Sequence, residues 1–365
     1  MLKLFEVSGF KNFKEKFSLD FSKVRDYQFN KDCVSEGLLK NIIIYGQNSV
    51  GKTNFGLALF DIVSHLTSKN VNPGLYDYYV NAAHVSFTAD FHYVFQFGND
   101  VVDYTYSKLS AKTLAYEKLT LNDVVFLEQD YVKKTGQMDG LKAFAPTLNL
   151  DFQGDESLLK YALNNSSVPK EHPLYKMMQF VSTMLWFRAL DENRYIGNKT
   201  KSEDYIDFIF DDGTRKEFEA LLHQTGITDS LVVKTDTDGK HRLYLDTPTP
   251  LPFLSVASSG TKALYTFFYW YKTAQNASFL FIDEFDAYYH YELSEAIVMI
   301  LERMPHTQVI LTSHNTNLLT NRIMRPDCYF ILTKEKLTSL VDATARELRE
   351  GHNLEKLYMS GEFDA

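Results

Sequence analysis

The run Gly46-Gln47-Asn48-Ser49-Val50-Gly51-Lys52-Thr53 matches G-x-x-x-x-G-K-[ST], the pattern of a loop that wraps phosphates. Its glycines let successive backbone N–H groups point inward, and a helix N-terminus behind the loop adds positive potential. In that setting Lys52 reaches the β- and γ-phosphates and Thr53 offers a hydroxyl to Mg²⁺, and Asn54, next in the chain, is expected to join the loop in binding the nucleotide. A second run, Phe279-Leu280-Phe281-Ile282-Asp283-Glu284, is an apolar strand that ends in two carboxylates. Asp283 suits a Mg²⁺ shell, and Glu284 is placed to orient or deprotonate an attacking water. Ser258 and Gly260, in Ser255-Val256-Ala257-Ser258-Ser259-Gly260-Thr261-Lys262, stand ahead of an apolar helix, where small hydroxyl residues and glycine make an anion site or a plain N-cap. Thr312-Ser313-His314-Asn315 follows a strand, and at the carboxyl edge of a parallel sheet His314 can sense or polarise a γ-phosphate. Taken singly, the acidic pair reads equally well as a solvated turn and the serine run as a cap. The phosphate loop is what gives them chemical meaning.

These residues need elements to hold them. Residues 41–45 form a β-branched strand before the loop, and 53–66 an apolar-periodic helix after it. Residues 2–7 and 17–21 read as short strands. From 85 to 121, Phe87, Ala89, Phe91, Tyr93, Phe95 and Phe97 alternate with more polar residues, and two further strands follow, which predicts an antiparallel meander. Residues 141–223 carry helical periodicity, with helices expected at 157–163, 173–190, 203–210 and 214–224, the last closed by Gly226. A hairpin about Asp238-Gly239 and a stiff Pro-rich linker at 247–252 follow. Then come a helix at 261–273, strands at 279–282, 308–312 and 328–332, a helix at 291–303, and a C-terminal helix at 344–358. Strands alternating with helices predict a parallel sheet covered on both faces. The expected division is an N-terminal lobe over 1–120, an inserted mainly helical lobe over 121–250, and a C-terminal lobe over 251–365.

The chain has 365 residues, 45% hydrophobic and 23% charged, which are values of an ordinary globular protein. Lys+Arg number 38 against 47 Asp+Glu, and the net charge of −9 argues against a surface built mainly for nucleic acid. Cys33 and Cys328 give no disulfide framework. The first residues lack a signal-peptide apolar region, and no run approaches the roughly 20 apolar residues of a membrane span, so a soluble cytoplasmic protein is expected. His290, His306 and His314 lack metal-ligand spacing. Lys133-Lys134 and Lys199 to Lys201 read as solvated loops. The 28 Phe and 23 Tyr concentrate in the meander, in residues 265–271 and after Glu284. The 265–271 run is aromatic all round and should be buried. Tyr288, Tyr289 and Tyr291 are expected at a subunit interface.

The order of phosphate loop, Ser-Ser-Gly-Thr-Lys, Asp-Glu and His resembles the ABC-type P-loop ATPases of the SMC, DNA-repair and OLD group. There these elements are Walker A, signature, Walker B with catalytic Glu, and switch His. The C-terminal run from Arg346-Glu347-Leu348-Arg349 to Gly361-Glu362-Phe363 resembles the tail of bacterial AAA/ABC-like ATPases of abortive-infection and anti-phage operons. The resemblance implies an α/β P-loop NTPase fold (an ABC ATPase head) carrying the antiparallel meander and the inserted helical lobe. It implies ATP with Mg²⁺, catalytic roles for Glu284 and His314, and metal contacts from Thr53 and Asp283. It also implies a homo-oligomer in which Ser258 and Gly260 of one copy meet the ATP held by another, and a protein effector such as a nuclease. The alternatives are a DNA-engaging repair or recombination ATPase, and a nucleotide-gated scaffold with negligible turnover. Three departures stand out. Tyr289-His290-Tyr291 replaces the family's Leu-His-Pro, Ala257 and Ser259 depart from its Leu-Ser-Gly-Gly, and the Q-loop glutamine has only Gln96 and Gln129 as candidates. The acidic motifs of OLD nucleases are missing after residue 320.

Overall fold

The computed structural model describes residues 1–67, 73–150, 156–188, 195–197, 205–224, 226–228, 230–287 and 289–364. The expected Tyr288, the Lys199 to Lys201 patch and the start of the helix at 203 lie outside these residues.

Two seven-stranded sheets face each other across a helix layer. In the parallel sheet, Leu185–Arg188, Phe279–Asp283, Gln308–Ser313, Asn41–Tyr45 and Tyr329–Leu332 are neighbours in that order. Antiparallel strands Tyr195–Gly197 and Leu337–Ser339 close its two edges. The central strands are buried along their whole length, as continuous apolar runs covered on both faces must be. In the second sheet, Leu2–Ser8 pairs antiparallel with Phe17–Asp20 and with Ala89–Phe97, and the meander runs on from there.

The helix Lys52–Leu59 lies between the two sheets. Phe55 meets Phe5 edge-on at 5.6 Å, and the Tyr93 hydroxyl donates to the Ala58 carbonyl at 3.0 Å. On the other face, a Cβ added to Gly56 would sit 2.7 Å from the Phe281 ring and 2.8 Å from Trp186 Nε1. Only glycine lets this helix come so close to the sheet. The Gln308 side chain ties the layers together, accepting from Leu2 N at 2.7 Å and donating to Leu2 O at 2.9 Å.

Several elements differ from expectation. The meander is longer, continuing through Leu114–Leu121 into Val124–Asp130 and Thr135–Gln137. The helix expected over 53–66 breaks at Phe60 and restarts as Asp61–Thr67. The helix expected over 173–190 ends at Ser182, and Leu185–Arg188 is a strand. In 203–210 the helix is a 3-10 turn, Asp207–Phe210. The linker's Leu251–Pro252 pairs with His241–Leu245 as the third strand beside the hairpin. The C-terminal helix shrinks to Leu354–Met359. Residues 121–250 thus hold strands of both large sheets as well as helices.

The aromatic run is buried as expected up to Trp270, while Tyr271 at its end is half-buried. Tyr265, Phe267, Phe268, Tyr269 and Trp270 are all under 9% exposed in the helix Ser259–Thr273. Tyr205, Phe208 and Phe218 pack on it from the middle segment, and Phe187 stacks on Trp270 from the sheet.

Candidate active site

Parallel strands bring their carboxyl ends to one edge of a sheet, and loops leaving that edge form a shared crevice. Here the phosphate loop follows Tyr45, the acidic pair ends the strand Phe279–Asp283, and His314 follows Ser313. Register fixes their proximity, with Ser313 opposite Tyr45 and Arg188 opposite Asp283.

The loop is held from both sides. Ser49 (φ 65°) and Gly51 (φ 109°) take left-handed conformations that curl it. A Cβ on Gly46 would lie 2.7 Å from the Leu332 carbonyl, and one on Gly51 would lie 2.5 Å from Asn12 Nδ2. Asn12 donates to Val50 O at 3.1 Å and accepts from Asn54 Nδ2 at 2.7 Å, so the N-terminal segment braces the loop and the start of the helix. Gln47, Asn48 and Ser49 are exposed along the loop, and Val50 is buried.

Lys52 is 6% exposed. Its Nζ donates to Gly46 O at 2.8 Å and Gln47 O at 3.2 Å, and lies 2.7 Å from His314 Nε2. Burial lowers the Lys52 pKa, opposed by Asp283, Glu284 and Asp286. Burial first, and then the Lys52 cation, lower the His314 pKa as well. A neutral imidazole accepting from the ammonium at Nε2 and carrying its own proton on Nδ1 satisfies both groups.

Asp283 is fully buried. Its Oδ2 accepts from Thr53 Oγ1 at 2.6 Å and its Oδ1 from Thr312 Oγ1 at 2.7 Å. Burial pushes its carboxyl above the ordinary range, against the pull of those two hydroxyls. Thr312 Oγ1 also accepts from Glu284 N at 2.7 Å, so one hydroxyl registers both acids. Glu284 sits at φ 51°, a left-handed position that costs a non-glycine residue about 1–3 kcal/mol. That turn swings the chain out of the strand. Glu284 Oε2 accepts from Arg188 Nη2 at 3.0 Å, and Arg188 Nε lies 3.6 Å from Asp283 Oδ2. Asp286 accepts from Ser313 Oγ at 2.6 Å, which steadies the segment carrying His314.

Lys52, Thr53, Asp283, Glu284 and His314 therefore share one cluster. Ser258 and Gly260 do not join it. With Thr261, Gln224, His290 and Glu292 they line a separate open cavity of about 580 Å³. Ser258 caps its helix, accepting from Thr261 N at 3.1 Å. Gln96 and Gln129 are on the antiparallel sheet, bonded to Gly98 O and Asp130 O. Tyr289 turns inward and donates to Ala263 O at 2.9 Å, whereas Tyr291 is 46% exposed. Sequence reasoning missed the roles of Arg188, Thr312, Asn12 and Asp286. Thr312 could have been found as the residue just before Ser313-His314, but Arg188 was hidden inside a helical pattern.

Residues 42–320, well over half the chain, match the family described as "AAA domain, putative AbiEii toxin, Type IV TA system". The chain belongs to this family. By that description it carries an AAA domain related to the putative AbiEii toxin. No curated protein matches it by sequence. Solved structures that it resembles include the SmcHead bound to the C-winged helix domain of ScpA (12% identity, 93% of this chain and 97% of that one, TM-score 0.49). The SMC head domain from Thermotoga maritima matches at 16% identity, 93% and 98% coverage and TM-score 0.45. An Smc head from Pyrococcus furiosus, bound to the C-terminal domain of ScpA, matches at 15% identity, 93% and 96% coverage and TM-score 0.45. Among the described residues no helix is long and apolar enough to cross a membrane.

The donor set fits a magnesium nucleotide. A hydroxyl and a carboxylate oxygen are hard ligands of the kind Mg²⁺ takes, sparingly, beside substrate phosphates. The buried Lys52 ammonium, tied only to carbonyls and a ring nitrogen, has its donors at the mouth of a curled loop.

Proposed function

We propose that this chain binds ATP with Mg²⁺ at the 46–53 loop, hydrolyses it, and uses the cycle to control a protein effector in bacterial anti-phage defence. The observation that carries the ATPase reading is the Thr53–Asp283 contact at 2.6 Å. It aims two oxygen ligands, 230 residues apart in sequence, at one point beside a phosphate loop.

Lys52 would leave the Gly46 and Gln47 carbonyls for the β- and γ-phosphate oxygens. Thr53 and Asp283 would hold the metal, which when bound supplies positive charge across the two phosphates. Glu284 accepts a proton from water as the water oxygen attacks the γ-phosphorus. The bond to the β–γ bridging oxygen breaks, and its electron pair leaves on ADP. Glu284 then returns the proton to solvent. His314 orders Lys52 and, once Lys52 has turned, faces the transferred phosphoryl group. Ser258 and Gly260 complete the site from a second copy, against the γ-phosphate held by the partner's Lys52, so ATP joins two copies and hydrolysis parts them.

The family's link to a toxin of a type IV system supports the defence role. The net charge of −9 supports a protein effector, such as a nuclease, over nucleic acid as the thing held in the cytoplasm. Phosphate release by the purified chain tests the chemistry. Lys52→Ala should abolish nucleotide binding, and Glu284→Gln should bind ATP yet lose turnover by about a hundredfold or more. Wild-type turnover in Glu284→Gln would overturn the assigned mechanism.

A further inference from the structure

Arg188 is the last residue of a buried strand and the one guanidinium, among the described residues, bonded to the acidic pair. Its backbone is fixed. Trp186 is 1% exposed and faces Gly56 of the helix behind the phosphate loop, and Phe187 stacks at 5.4 Å on Trp270 of the helix that begins at Ser259. Its side chain, 27% exposed, reaches from the neighbouring strand to Glu284 at 3.0 Å and to Asp283 at 3.6 Å.

This pairing is at odds with the task given to Glu284. A carboxylate oxygen that accepts a hydrogen bond from a guanidinium is not free to align water. Arg188 must leave for Glu284 to work, and it needs another anion at similar reach. A γ-phosphate held by Lys52 is that anion. It carries more charge than a carboxylate and offers oxygens that match the two-pronged guanidinium.

We propose that Arg188 exchanges partners in the ATP cycle, turning from Glu284 to the γ-phosphate, so that it frees the base and stabilises charge on the transferred group in one movement. The inference rests on the ATPase reading above and adds a γ-phosphate contact to it. Since the strand of Arg188 touches both the helix behind Lys52 and the helix behind Ser258, this residue also reports to the base which nucleotide is present. ADP has no γ-phosphate and leaves Glu284 gripped.

The test compares ATP and ADP affinity, because a merely structural role moves both alike. In a Glu284→Gln background, where ATP survives, adding Arg188→Ala should weaken ATP binding about tenfold or more and leave ADP within about twofold. In the otherwise native chain, Arg188→Ala should lower kcat by about a hundredfold. Arg188→Lys keeps the charge without the fork, and should recover most of the ATP affinity but little of kcat. Equal losses for ATP and ADP, or wild-type kcat in Arg188→Ala, would overturn the proposal. Should Arg188→Ala fail to fold, Arg188→Lys decides alone, since wild-type kcat there contradicts the fork's role. A wild-type chain that binds no ATP sinks the ATPase reading and this inference together. A wild-type chain that hydrolyses ATP, with Arg188 variants indifferent, sinks this inference only.

Discussion

At the scale of single residues, Thr312 organises both acids, donating to Asp283 Oδ1 and accepting from Glu284 N. Thr312→Val keeps the shape and removes the hydroxyl. It leaves the strained Glu284 N–H without its acceptor, so kcat should fall about ten- to a hundredfold with nucleotide affinity little changed. Steady-state kinetics beside equilibrium ATP binding checks the split. A second residue sets a pH dependence away from the crevice. Burial pushes the Glu302 carboxyl from 4.5 up to about 7, with the Cys33 thiol and then Lys40 opposing. A carboxyl whose folded value is raised favours the folded state below the unfolded value and loses that advantage as pH rises through the folded one. The chain should therefore shed stability from this group between about pH 4.5 and 7. Glu302→Gln should be more stable than wild type by about 1–3 kcal/mol at pH 8 and nearly equal to it at pH 4.5, as read by urea unfolding.

At the scale of elements, the close approach of Lys52–Leu59 to the sheet depends on Gly56. Gly56→Ala would place a methyl 2.7 Å from Phe281 and 2.8 Å from Trp186. The neighbours are large buried rings, so the helix must back away. Stability should drop by about 1–3 kcal/mol, and nucleotide affinity with it, because the same helix carries Lys52 and Thr53. Thermal unfolding with and without ATP reads both effects. Elements also show where sequence was informative. The strand–loop–helix of Asn41–Tyr45 and Lys52–Leu59 and the buried Phe279–Asp283 strand were legible, because continuous apolar runs beside glycine turns leave few alternatives. The strand Leu185–Arg188 was not. Met177, Phe180 and Met184 share a helical face, and a short apolar run after them fits helix and strand alike. Thr183 caps the helix end, its Oγ1 donating to Gln179 O at 2.8 Å. Asp61 divides the helix expected over 53–66 for a tertiary reason. It is buried with Lys108, Tyr79 and Tyr106 bonded to it from the meander. The C-terminal helix is short because the Asn321 amide takes the Arg349, Glu350 and His352 carbonyls into a loop. The contacts of Asp61 and Asn321 span 18 residues or more, further than a local pattern can record.

At the scale of the whole molecule, the motif residues fall in two places. Five groups with phosphate chemistry meet at the edge of the parallel sheet, while Ser258 and Gly260 open on a different cavity. The motif order in the sequence names both groups, but only the fold shows that none of the five lines the 580 Å³ cavity beside Ser258. That separation is what a site shared between two copies requires. The measurement that tests it most directly is the mass of Glu284→Gln in solution, by light scattering, with ATP and Mg²⁺ and then with ADP. The account predicts a doubling of mass with ATP, none with ADP, and loss of the doubling when Ser258→Arg is added. An unchanged mass with ATP bound would contradict it.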